Sequence, residues 1–269
     1  MQNPDMLTEL LILILVVLSL VLIYYFTRVY RKPKKDKEHY VKALEFMAEG
    51  NDKWAIQKFK EAVREDSENV DAYLHLGDLL RKKGMAANAL KIHKDLTLRS
   101  NLSDDNHAKI KYSLLLDHEA LGNYKAAIEM ANSILETDRK TQTDTAVRLL
   151  TYLEKEELWS EAFEIVKKYF KDSSQQMNHK AALYLVFSGQ QNQKNGEGRE
   201  GRIKYKDALK YDKKCVPAYY YLGDSYQQED RLEDAIREWE RLCEMVPESS
   251  YVAFRPLERA WFDLGKFNE

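Results

Sequence analysis

Apolar and polar residues are distributed very unevenly along the 269-residue chain. Residues 10–26 read LLILILVVLSLVLIYYF and contain no charged side chain. With its immediate neighbours this run reaches about 20 residues, or about 30 Å of helix, which is enough to cross a lipid bilayer. Further along, apolar residues recur at amphipathic-helix spacing. The pattern predicts a membrane anchor over residues 1–27, a linker over 28–37 and a helical body over 38–269.

A cleaved signal peptide is the alternative interpretation of the apolar run. Such peptides have a basic N-terminal region and a small-residue cleavage site. Here Asp5 and Glu9 precede the run, no Lys or Arg does, and no A-x-A sequence follows it. We therefore expect an uncleaved transmembrane helix.

The linker after the run is strongly basic and contains a single acid, Asp36. The positive-inside rule places such a segment in the cytoplasm. We therefore expect a single-pass protein with its N-terminus outside and its body in the cytoplasm. The basic side chains would also contact anionic headgroups, although a topology signal alone is the alternative. They are Arg28, Arg31, Lys32, Lys34, Lys35 and Lys37.

Two windows of the body resemble each other. One begins at Ala72 and reads AYLHLGDLLRKKGMAANALKIHKDL, and the other begins at Ala218 and reads AYYYLGDSYQQEDRLEDAIREWERL. Both follow the tetratricopeptide pattern, a 34-residue helix–turn–helix unit. Small residues at its eighth and twentieth positions let helices approach closely, and a large residue at the twenty-fourth fills the space between them. His93 occupies that large position, so we interpret it as a core residue rather than a ligand.

The same register extends in both directions along the body. Because no single repeat buries its apolar face alone, stacking supplies the stability. We therefore predict an all-α fold, a right-handed superhelix of tetratricopeptide-repeat (TPR) helix hairpins preceded by one transmembrane helix. The expected repeats are near 36–69, 70–103, 108–141, 143–176, 182–215 and 216–249, with a partial one at 251–269.

Composition agrees with a helical, non-catalytic chain. Only 10 glycines and 5 prolines are present, which favours helices over a turn-rich fold. The 42 basic residues nearly balance 44 acidic ones, which argues against nucleic-acid binding. Two cysteines cannot form a four-thiolate metal site. Residues 196–201, GEGREG, lack the Lys-Ser/Thr of a phosphate-binding loop, so we expect a polar turn there. No catalytic constellation is present, so we predict no enzyme activity and no cofactor within this chain.

A solenoid offers a concave groove, lined by the first helix of each repeat. Tyrosines recur at groove positions, and tyrosine combines a large contact area with a polar tip. A solvated face with scattered tyrosines is the alternative. The predicted partner-binding residues are Tyr40, Leu74, Asp78, Arg81, Tyr112, Leu116, Tyr220 and Asp224.

The first two repeats resemble the lipopolysaccharide assembly protein LapB (YciM) family. Residues 76–81, LGDLLR, and 89–93, ALKIH, are similar to its second repeat, in which histidine takes a position that is usually aromatic. The resemblance implies an adaptor in the bacterial inner membrane that works with the FtsH protease to control the LpxC deacetylase in lipid A synthesis. Other lipopolysaccharide assembly proteins are further implied partners.

One feature of that family is missing from this chain. The family ends in a rubredoxin-like metal site made from two C-x-x-C pairs, and no such pair occurs here. We expect a truncated sequence rather than a shortened relative, because Trp261 and Phe262 would otherwise lack a second-helix partner. A general scaffold for another envelope complex is the main alternative function, and an accessory subunit of a separate enzyme is a third.

Overall fold

The described part of the chain is built from α-helices. The computed structural model describes residues 4–30, 37–137, 141–170 and 174–265, and these ranges contain no β-strand. The all-α fold expected from the sequence is therefore confirmed. The helices are α1 (Pro4–Tyr30), α2 (Glu38–Ala48), α3 (Asp52–Glu65), α4 (Val70–Lys82), α5 (Ala86–Thr97), α6 (Asp104–Ala120), α7 (Tyr124–Thr137), α8 (Gln142–Lys155), α9 (Trp159–Tyr169), α10 (Gln175–Lys194), α11 (Gly198–Tyr211), α12 (Val216–Gln227), α13 (Leu232–Met245) and α14 (Tyr251–Asp263).

Helix α1 contains the apolar run. Its segment Thr8–Phe26 has a mean hydropathy of 2.7, and none of it is buried. Within the described ranges, this is the one helix long and apolar enough to cross a membrane. A helix that is apolar on every side is stable in lipid or in a large protein core, but not in water.

The chain divides into two compact units, residues 1–102 and 103–269. In the first unit, α2 pairs with α3 and α4 with α5, while α3 also packs on α4. The core at these contacts is centred on Phe59 and Leu76, with small residues such as Ala43, Ala55 and Ala89 where helices meet. Helix α4 begins after Asn69, whose side-chain oxygen accepts a hydrogen bond of 3.0 Å from the Ala72 amide.

The second unit continues the hairpin arrangement through α6–α14. Each helix packs on the next along the chain, and the first helices α10 and α12 also touch directly. One core lies among α6–α10 and includes Leu149 and Tyr152, and a second lies among α10–α14 and includes Tyr205 and Trp239. The first helices of successive hairpins therefore follow one another along one side of this unit.

In three hairpins, a ring on the second helix packs directly against a glycine on the first helix. A Cβ atom placed on Gly77 would lie 2.2 Å from Nε2 of His93, and one on Gly223 would lie 2.3 Å from Nε1 of Trp239. Gly189 has the same relation to Tyr205, at 2.5 Å. The eighth and twenty-fourth positions of the repeat pattern therefore meet, and His93 is a fully buried core residue, as predicted.

The structure departs from the sequence-based expectations at three helix starts. Helix α6 begins at Asp104 and α10 at Gln175, ahead of the repeat starts expected near 108 and 182. The expectation of a polar turn over residues 196–201 is partly wrong, because α11 already begins at Gly198 and Gly201 is buried. Gly201 packs against the carbonyl oxygen of Gly189, so the close approach of two helix backbones, rather than a turn, accounts for this glycine.

Candidate partner-binding groove

In the first unit, the predicted groove residues differ in how accessible they are. Tyr40 is half-buried, with its ring 6.0 Å from that of Phe59. Leu74 is only 6% exposed, so it offers a partner little surface. Arg81 donates a hydrogen bond of 2.5 Å to Asp78, which leaves neither charge uncompensated.

In the second unit, Tyr112 belongs to a charged network that links α6 and α8. Its hydroxyl donates to Asp144 (2.5 Å), which also accepts from Arg148 (3.1 Å). Arg148 reaches back to Glu119 on α6 (2.8 Å), and Tyr152 donates to the same carboxylate (2.8 Å). Because the hydroxyl of Tyr112 stabilises the carboxylate, the pKa of Asp144 is lowered, while burial raises the pKa of Tyr112.

In the second unit, residues at the twelfth repeat position join α6 to α8, α8 to α10 and α10 to α12. Glu119 binds Arg148 and Tyr152, as just described, and Glu154 on α8 accepts from Tyr184 and from Lys180 (2.7 Å) on α10. Gln193 on α10 donates to Gln228 on α12 (2.8 Å). Sequence reasoning missed these residues, although all three are polar and share one repeat position.

A polar opening with a volume of about 490 Å³ lies between α10 and α12 on the first-helix face. We call this opening the amide cleft. Its lining residues are Gln190, Gln193, Lys194, Tyr221, Asp224 and Gln228. Of the residues predicted from the sequence, Asp224 lines the cleft, and the half-buried Tyr220 lies beside it, with its ring centroid 5.2 Å from that of Tyr221.

The remaining predicted site residues make no contact that identifies a binding role, or they lie outside the described residues. Leu116 is half-buried on α6. Among the predicted headgroup contacts, Lys37 is exposed immediately before α2. The side chain of Arg28 and residues Arg31, Lys32, Lys34 and Lys35 lie outside the part that the structure describes.

No group of three or more His, Cys, Asp or Glu side chains in the described ranges is arranged to hold a metal ion. Burial raises the pKa of the Cys215 thiol to about 11, so this thiol stays protonated at neutral pH. What the described surface provides is a set of polar and aromatic side chains arranged along consecutive helices.

Comparison with known proteins gives this arrangement a context. The tetratricopeptide repeat family model matches residues 192–249. Lipopolysaccharide assembly protein B of Haemophilus influenzae is 24% identical over 256 residues, which cover 88% of this chain and 64% of the relative. The Escherichia coli K12 protein of the same name is 22% identical over 267 residues, which cover 97% and 68%. The chain thus spans about two thirds of the length of these relatives.

The fold comparison finds a solved structure that is similar over most of the chain. The solved structure of Naa15/Naa10 bound to HypK-THB matches 87% of this chain and 35% of its own chain, with a TM-score of 0.58 and 17% identity. This likeness shows a shared fold. The TPR architecture and the resemblance to lipopolysaccharide assembly protein B, both predicted from the sequence, are confirmed.

Proposed function

We propose that this chain, a TPR protein that resembles lipopolysaccharide assembly protein B, is a membrane-anchored adaptor in lipopolysaccharide assembly. One observation carries the proposal: the alignment with the Escherichia coli relative covers 97% of the chain. It therefore includes the N-terminal apolar helix as well as the repeats. An unrelated TPR scaffold would be expected to align through its repeats alone and to leave the apolar helix unmatched.

The anchor would set the location of the protein. The exposed apolar segment Thr8–Phe26 supports insertion into a membrane. The basic sequence after it favours a cytoplasmic body. In a lipopolysaccharide-producing bacterium this arrangement corresponds to the inner membrane, with the N-terminus outside.

The repeats would supply the binding surface. We infer that a cytoplasmic client, the LpxC deacetylase, binds the first-helix face and that the anchor holds it near the membrane protease FtsH. The chain's own part is positional, because bringing two proteins together raises their effective concentration without any chemical step. The polar and aromatic residues along α6, α8, α10 and α12 fit this role.

Capture of partners from the native bacterium tests the proposal. The full chain, with an affinity tag, is expressed in its own host, crosslinked in living cells and purified from detergent-solubilised membranes. We expect mass spectrometry to find both FtsH and LpxC enriched over a control capture of an unrelated single-pass protein. Recovery of neither protein would contradict the adaptor proposal, and recovery of a different envelope complex would favour the general scaffold.

A further inference from the structure

Four carboxylates on the first helices are compensated by neighbouring cations. Asp78 pairs with Arg81, Glu119 and Asp144 pair with Arg148, and Glu154 pairs with Lys180. Asp224, in the amide cleft, forms no ion pair with any residue that the structure describes. The groove therefore has a fixed negative charge at one place on α12.

Neutral donors surround that carboxylate. The side-chain amides of Gln193 and Gln228 both donate to its Oδ2 atom, at 3.3 and 3.0 Å. Its Oδ1 atom accepts no side-chain hydrogen bond within the described ranges. Lys194 also lines the cleft, but its exposed side chain does not reach Asp224 within 4.0 Å.

The negative charge of Asp224 affects the pKa of two neighbouring tyrosines. Burial, together with this negative charge, raises the pKa of both Tyr205 and Tyr220. Their hydroxyls therefore remain neutral at physiological pH and do not repel an incoming group. A cation that entered the cleft would meet a partly desolvated carboxylate, where ion pairing is stronger than at an open surface.

The amides themselves suit a polypeptide backbone. Each glutamine side chain carries one acceptor oxygen and two donor hydrogens, which match the N–H and C=O groups of an extended peptide. Gln190 makes no hydrogen bond with the described residues, and Gln193 and Gln228 lie beside it in the same cleft. The volume of about 490 Å³ fits a few residues of an extended chain rather than a folded domain.

We propose that the amide cleft binds an extended segment of a partner protein and takes one basic side chain, preferentially arginine, against Asp224. Arginine is favoured because its planar guanidinium can donate two parallel hydrogen bonds to a carboxylate. The glutamine amides bind the backbone on either side of that residue. This inference rests on the proposed adaptor function, and it names the chemistry of the partner segment.

Selection from a phage-displayed library of random 12-residue peptides tests the inference. The full chain, purified in detergent, is compared with Asp224→Asn, which keeps the side-chain shape and removes the charge. Asp207→Asn is the matched control, because Asp207 is ion-paired with Lys210 on the second helix α11. We expect peptides selected by the wild type to be enriched in Arg or Lys at one position. That enrichment should persist with Asp207→Asn and disappear with Asp224→Asn.

Affinities of a selected peptide give the second readout. Fluorescence anisotropy should show that its Arg form binds the wild type at least tenfold more tightly than it binds Asp224→Asn. Gln190→Ala and Gln193→Ala should weaken the binding of all peptides about equally. Absence of basic enrichment, or enrichment that survives Asp224→Asn, would overturn the inference.

The two proposals can fail separately. If FtsH and LpxC are captured but the peptide selection shows no dependence on Asp224, the cleft assignment is wrong and the adaptor function stands. If the Asp224-dependent peptides appear but neither protein is captured, the cleft binds basic segments of a different partner.

Discussion

Single residues determine how closely the hairpins pack. His93 and Trp239 occupy the same repeat position, and each directs a ring nitrogen towards the main-chain oxygen of the fifth residue of its repeat. The distances are 3.4 Å to Leu74 and 3.1 Å to Tyr220. Histidine therefore substitutes for a larger aromatic residue because its ring can form the same contact over a glycine.

Replacing Gly77 with alanine should destabilise the protein. The new Cβ would lie 2.2 Å from the His93 ring, which the surrounding core holds in place. We expect a loss of about 1–3 kcal/mol in the free energy of unfolding, as for other overpacked cores. The measurement is chemical denaturation of the full chain in detergent.

Gly198→Ala is the control for that substitution. Its Cβ would meet the flexible end of Glu229 at 3.2 Å, so we expect a change within about 0.5 kcal/mol. If Gly77→Ala were as harmless as this control, the close approach of α4 and α5 would not be as described.

Glu157 is strained at the turn between α8 and α9. Its φ is +54°, whereas glycine takes the corresponding place in most other hairpins, for example Gly122 with φ +68°. A residue with a Cβ loses about 1–2 kcal/mol of stability in a left-handed conformation. Replacing it with glycine removes this cost, but the greater freedom of glycine in the unfolded chain offsets part of the gain. We expect Glu157→Gly to stabilise the protein by roughly 0.5–1 kcal/mol in thermal denaturation.

The neighbouring residue supplies a matched control for the turn. Glu156 has φ −93°, a conformation that any residue adopts, so glycine there should give no stabilisation. Equal effects of Glu156→Gly and Glu157→Gly would show that the gain arises from lost charge repulsion rather than from relieved backbone strain.

Tyr112 should make the stability depend on pH. Its hydrogen bond lowers the pKa of Asp144, and a lowered carboxyl pKa stabilises the fold above the unfolded value near 4. That contribution is lost as pH falls through the folded value. Tyr112→Phe should therefore cost about 1 kcal/mol at pH 7 and progressively less below pH 4.

Denaturation curves at pH 7 and pH 3 check this dependence. Tyr220→Phe is the comparison, because the Tyr220 hydroxyl has no hydrogen-bond partner within the described ranges. A cost for Tyr112→Phe that is the same at both pH values would mean that its bond does not favour ionised Asp144.

At the scale of elements, the repeat pattern predicts which helices pair better than it predicts where each helix begins. Spacing of small and large residues fixes which helix faces meet, since those contacts are local and recur in every repeat. The repeat pattern does not predict the early starts of α6 and α10, because the turns of helix before Ala108 and Ala182 lie outside the repeat consensus. At Gly201, packing against the Gly189 backbone overrode the turn propensity of a glycine-rich sequence.

The first-helix face was only partly predictable for a related reason. A column of repeat positions identifies residues that share one helix face, and Tyr112, Tyr220 and Asp224 belong to that face and are partly exposed. It does not show how adjacent helices tilt, so it placed the buried Leu74 in the same set. The bridging residues Glu119, Glu154 and Gln193 become evident only when successive first helices are seen side by side.

For the whole molecule, the anchor and the repeats should separate cleanly. The apolar side chains of Thr8–Phe26 are not buried against the rest of the chain, so the repeats do not use them as core. We expect a chain lacking residues 1–30 to be soluble without detergent and to keep its helical circular dichroism per residue. Aggregation or loss of the helical signal would contradict the division into a membrane helix and a self-sufficient repeat body.

We propose that this anchored repeat protein regulates LpxC by bringing it to FtsH. The most direct measurement is the half-life of LpxC in the native bacterium after the chain is depleted, followed by immunoblotting once protein synthesis is blocked. The adaptor proposal predicts that LpxC becomes several-fold longer-lived on depletion and that re-expression of the full chain restores rapid turnover. An LpxC half-life that is the same with and without the chain would contradict it.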